Sequence, residues 1–227
     1  MYFDYYYLIL VVPMLILSLI AQGMVNGSYK KYSKVLGSRR ITGAQAAEML
    51  LKARGVNDVK IERVGGSLTD HYDPKANVIR LSDGVYSSSS VAAVGIACHE
   101  AGHALQYAEK YAPIKFRMAL VPVCNIASNL AIPLIVLGLV LSFFELAYIG
   151  IAAFALSTVF QLVTLPVEFN ASRRAMAIIN EQNILYEDEA KGARKVLTAA
   201  AMTYVAALAV SLANLLRFVL IVGRRRD

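Results

Sequence analysis

The chain has 227 residues, 57% of them apolar and 17% charged, with a formal net charge of +7. An apolar excess of this size excludes an ordinary soluble domain, a collagen-like chain and a disordered one, and two cysteines exclude a disulfide scaffold. The basic excess is of the kind that sets topology in a membrane protein, so nucleic-acid binding is not expected.

A bilayer core about 30 Å thick takes about 20 apolar helical residues. The first such run covers residues 7–25 and is preceded by Asp4 and tyrosines but no Lys or Arg, which predicts an uncleaved anchor instead of a secretory signal. Tyr2, Tyr5, Tyr6 and Tyr7 read as an interfacial aromatic belt. Thr42 is placed to cap a helix through about Arg54, ended by Gly55. Extended stretches follow at 59–64 and 78–81, joined through Gly65-Gly66 and an Asp73-Pro74 turn, which leaves His71 in a loop. The serines at 87–90 then supply an N-cap for a helix reaching about Tyr111.

A second charge-free run, 118–144, carries Pro122 and Pro133, and a third, 146–167, follows after Glu145 alone, so the two predict a tight helical hairpin. The fourth, 196–222, is interrupted by Arg217, expected to snorkel to the interface before the terminal arginines 224–226. Asn125, Asn129, Gln161 and Asn214 read as interhelical hydrogen-bond partners, not as a transport path. In a four-span arrangement, residues 23–117 carry fourteen Lys and Arg and residues 168–195 carry five, against four on the opposite face. The polar region should therefore face the cytoplasm of a multi-pass protein of the inner (plasma) membrane.

The expected architecture is mainly α: about four transmembrane helices with a small α+β cytoplasmic subdomain of zincin type. Its segments are an anchor (1–25), a cytoplasmic part (26–117), a transmembrane hairpin (118–167), a cytoplasmic helical segment (168–195) and a last span with a basic tail (196–227).

The helix expected before Tyr111 contains His99-Glu100-Ala101-Gly102-His103. Histidines four apart share one helical face, so both imidazoles reach one Zn²⁺, while Glu100 is turned aside to hold a water and take its proton. The surrounding residues 90–105 are otherwise small or apolar, and burying three polar groups among them without partners would cost several kcal/mol. Cys98 reads as a small core residue and Cys124, inside the second span, as inert.

A catalytic zinc takes three protein ligands and leaves a position for water. Glu168 is the better candidate for the third, because the hairpin between it and the motif returns the chain to the same membrane face. The weaker alternative for Glu168 is a first-turn glutamate favoured by the helix dipole. His71 stands as a third ligand, as a donor to the oxyanion or as a plain turn residue, and Tyr72 is a candidate for the same electrophilic role with no stronger claim.

The residues 68–74 (Leu-Thr-Asp-His-Tyr-Asp-Pro), 81–82, 99–106 (His-Glu-Ala-Gly-His-Ala-Leu-Gln) and 166–174 (Pro-Val-Glu-Phe-Asn-Ala-Ser-Arg-Arg) together resemble the YugP-type neutral zinc metallopeptidases of bacteria. More distantly the chain is similar to the HtpX-type membrane gluzincins, which also place two spans between the motif and a glutamate ligand. The resemblance implies one Zn²⁺ per chain, His99, His103 and Glu168 as ligands, and Glu100 as base. The departure from it is Ser172, where those gluzincins carry an Asp that orients a ligand histidine; Asn170 or an acidic group elsewhere is then left to compensate. The expected activity is hydrolysis of a peptide or membrane-protein substrate at the bilayer, with the substrate strand paired along residues 78–81. The rival readings are a non-proteolytic membrane scaffold and, more weakly, a small transporter; the oligomeric state is open.

Overall fold

A computed structural model describes residues 4–226. A π-helical turn, Tyr7–Val11, opens the chain and leads into α1, Val12–Tyr32. Then come α2 (Gly43–Lys52), β1 (Lys60–Val64), β2 (His71–Asp73), β3 (Val78–Ser82), α3 (Asp83–Tyr86) and α4 (Val91–Ala108). Three long helices complete the chain: α5 (Ala112–Val140), α6 (Phe144–Glu181) and α7 (Glu187–Arg226). Four helices are long and apolar enough to cross a membrane, Tyr7–Tyr32, Ala112–Val140, Phe144–Glu181 and Glu187–Arg224. Tyr2 lies outside the described residues.

The chain divides into two compact units. One holds the described residues up to Ala21, Lys115–Pro166 and the residues from Met202 on. Here α5 and α6 form the expected hairpin, turned at Ser142 with positive φ and packed so closely that a Cβ on Gly138 would lie 2.4 Å from the Ala147 nitrogen. Thr158 and Ser211 join α6 to α7 through a 2.7 Å hydroxyl contact. Arg217 differs from expectation: its guanidinium donates to Asp4 at 2.5–2.6 Å and stacks near Tyr7 and Phe218. An ion pair satisfies this charge where the sequence suggested only an interface.

The second unit, Gln22–Ile114 and Val167–Ala201, carries most of the charged residues and the main core. Thr42 and Gln45 form a reciprocal capping box at α2, and the Ser90 hydroxyl accepts from Ala93 N at 3.2 Å to start α4. Leu50, Ile79, Leu81, Val94, Ala97, Leu105, Ile178 and Ile179 lie in one core shared by α2, the sheet, α4 and α6. The sheet order is β1-β3-β2, with β1 parallel and β2 antiparallel to β3.

Two corrections follow. Residues 71–73, expected as loop, are a strand, and β3 is the central strand with both edges paired, so no substrate can add to residues 78–81. The edge strand beside the motif helix is β2.

Candidate metal centre

α4 and α6 hold the site. Gly102 lets them meet: a Cβ there would lie 2.6 Å from the Ala171 carbonyl oxygen, inside any real contact. That close approach brings Glu168 over the two histidines of α4. Glu168 is the twenty-fifth residue of α6, far from the helix start, so the dipole explanation for it does not apply. Its side chain is 3% exposed among apolar neighbours, and such a carboxylate requires charged or hydrogen-bonding partners.

Its partners are the imidazoles. Glu168 Oε2 lies 3.3 Å from His99 Nε2 and 3.5 Å from His103 Nε2. Ligand atoms held about 2.0–2.1 Å from a tetrahedral zinc stand about 3.3–3.4 Å apart. The ligand atoms of His99, His103 and Glu168 all fall within 4.8 Å of one another, and two neutral nitrogens with one carboxylate oxygen suit a catalytic zinc. The residues present therefore fit the metal.

Each imidazole is held from behind. Ser172 Oγ lies 3.1 Å from His99 Nδ1, so the hydroxyl occupies the supporting position despite being neutral. Gln106 Oε1 lies 3.0 Å from His103 Nδ1. Sequence reasoning passed over Gln106; the available signal was a polar residue one turn after His103 in an otherwise apolar helix. Burial opposes charge on His103, but its hydrogen bond to Glu168 and the charges of Glu100 and Glu168 outweigh that, so without metal its pKa is raised above the ordinary imidazole value.

Glu100 lies outside this donor set. Its Oε2 accepts from the Tyr72 backbone N–H at 3.0 Å, tying the carboxylate to β2. The Tyr72 phenol points elsewhere: it donates to Asn77 Oδ1 at 2.7 Å. Burial foremost, then the neighbouring Tyr107, Asp58 and Asp73, pushes that phenol up to about 12. Tyr72 therefore serves Glu100 through its backbone, and the electrophilic role considered for its side chain is not supported by these contacts.

His71 is exposed on β2, with Nδ1 2.8 Å from the Thr69 carbonyl, and is not in the donor set. A carbonyl only accepts, so Nδ1–H is the donor in this bond. Cys98 is buried, and burial pushes its thiol up, leaving an unreactive core residue.

A two-histidine, one-glutamate donor set is of the kind that catalytic zinc sites use, and the chain also carries four helices of membrane length. Residues 7–223 match the model described as "putative neutral zinc metallopeptidase", and the chain belongs to that family. It is similar to the "Putative membrane protease YugP" of Bacillus subtilis (strain 168), at 47% identity over 221 residues, covering 97% of this chain and 98% of the relative. No solved structure matches.

Proposed function

We propose that the protein is a zinc-dependent endopeptidase that hydrolyses peptide bonds at the cytoplasmic face of the inner membrane. The observation that carries the reading is the Glu168 carboxylate set at tetrahedral-edge distance from both His99 and His103, with Glu100 held beside them by Tyr72. Supporting it are the family, the relative described as a membrane protease, and the Lys and Arg excess flanking the spans on one side.

His99, His103 and Glu168 would hold one zinc per chain, which when bound polarises the scissile carbonyl and lowers the pKa of a water. Glu100, fixed at one oxygen by the Tyr72 N–H, takes the proton from that water and delivers it to the leaving amine. An extended substrate is taken to run beside β2 and Glu100, where the outward Tyr72 N–H is already given to the Glu100 carboxylate. His71, on the same strand, is assigned as a donor to the developing oxyanion. The distant likeness to HtpX-type gluzincins belongs to this reading as well.

The test is zinc content per purified chain, with cleavage of an unfolded casein probe and of a panel of single-span peptides in proteoliposomes. The expected result is one zinc in wild type, loss of zinc in His99→Ala and Glu168→Ala, and cleavage that requires Glu100. A wild type that binds no zinc after reconstitution would overturn the reading in favour of a metal-free scaffold. Zinc binding with cleavage unaffected by Glu100→Gln would overturn the assigned base.

A further inference from the structure

Behind His103 runs a chain of hydrogen bonds whose direction is determined at its outer end. Gln106 is fully buried, with Oε1 toward His103 Nδ1 at 3.0 Å. Its Nε2 donates to the Val167 carbonyl at 2.8 Å and to Asn170 Oδ1 at 2.9 Å. Asn170 Oδ1 also accepts from Arg174 Nε at 2.7 Å, and the same guanidinium donates to Glu109 at 2.5 Å and lies over the Tyr111 ring at 5.8 Å.

A guanidinium has donors and no acceptor, whereas a backbone carbonyl accepts and never donates. Arg174 therefore makes Asn170 present its oxygen. Asn170 and Val167 together make Gln106 present its NH₂ to α6, which leaves the Gln106 oxygen for His103. The oxygen acceptor at Nδ1 draws the ring proton there, against the Glu168 carboxylate 3.5 Å from Nε2, and a neutral ring so held has its lone pair on Nε2.

We propose that Gln106, Asn170 and Arg174 form a positioning unit that holds His103 in the Nδ1–H tautomer and so presents Nε2 as a ready metal ligand. The proposal deepens the zinc-peptidase reading and rests on it for its purpose, but the tautomer itself is a property of the metal-free chain. His99 lacks such a device. Ser172 Oγ is both donor and acceptor and leaves the His99 tautomer undirected, so the two ligand histidines are supported unequally. Arg174 and Glu109 carry the chain of bonds to the edge of the unit, where an ion pair anchors it.

The experiment uses the full-length chain in detergent, labelled with ¹⁵N-histidine, together with zinc titration. Three histidines in the sequence make assignment by single substitution practical. In zinc-free wild type, above the pH at which the rings are neutral, His103 should show a protonated Nδ1. Gln106→Leu should abolish that preference and weaken zinc binding about 10- to 100-fold, as loss of a ligand's hydrogen-bond partner does. Asn170→Asp accepts both bonds and should behave as wild type, whereas Asn170→Leu should follow Gln106→Leu. This pair keeps the test sharp if Gln106→Leu fails to fold. An Nε2-protonated His103 in wild type, or Asn170→Leu and Asn170→Asp with equal tautomers and affinities, would overturn the positioning unit. Absence of zinc binding in wild type would overturn the peptidase reading, and the NMR result alone would then decide the tautomer.

Discussion

The backbone N–H of Tyr72 donates to Glu100 Oε2 at 3.0 Å, so the edge strand and the base are one mechanical unit. Tyr72 pairs with Ile79 of β3, yet its own N–H leaves the ladder to meet α4. Tyr72→Pro removes this donor without removing a side chain from the zinc site. We expect zinc content to be unchanged and turnover to fall about 10- to 100-fold, since a misplaced catalytic group costs that much. Metal analysis and a cleavage assay on the same preparation check both halves.

Glu100→Gln keeps shape and one acceptor but cannot take a proton. Cleavage should drop by about 10²–10⁴-fold, the usual contribution of a general base, while zinc stays at the wild-type level. Equal turnover in the variant would remove Glu100 from the mechanism.

Gly102→Ala pushes a methyl toward the Ala171 carbonyl, which is backbone and has no rotamer to yield. Overpacking of this kind costs about 1–3 kcal/mol, and separating α4 from α6 also moves Glu168 away from the histidines. The variant should melt at a lower temperature and bind zinc more weakly, by thermal unfolding and by titration. Unchanged affinity would mean that the helix contact does not set the ligand spacing.

Ser172→Ala removes a neutral hydroxyl whose bond to His99 has no imposed direction. The loss of zinc affinity should not exceed about tenfold, the low end of the range for such partners, and should be smaller than that of Gln106→Leu. A competition titration against a chelator orders the two.

His103 gives a pH signature with opposite signs in the two metal states. Its folded pKa is raised above the ordinary 6.5, chiefly by Glu168 against the effect of burial. In the zinc-free protein, stability from this group is fully present below about pH 6.5 and is lost as pH rises through the folded value. Zinc must displace that proton, so its affinity rises over the same window. Differential scanning from about pH 6 to pH 8.5 should show the zinc-free Tm falling while the gap to the loaded protein widens. A His103→Ala variant should lose this part of the dependence.

The features legible in the sequence were local or periodic. Apolar runs of membrane length, the caps at Thr42 and Ser90 and the four-residue spacing of His99 and His103 each follow from a helix of 3.6 residues per turn or from side chains next to the backbone they satisfy. Glu168 was reachable as well, because a helical hairpin must return the chain to the face it left. The strand at His71–Asp73 was not, because three residues with no apolar alternation become a strand only when β3 supplies the partner. Nor was the central place of β3, which denies residues 78–81 to a substrate, or the ion pair of Asp4 with Arg217 across 213 positions. The direction of the bonds from Arg174 to His103 also belongs to the tertiary structure. Each residue type offers several donors and acceptors, and only the packing of α4 against α6 selects which of them meet.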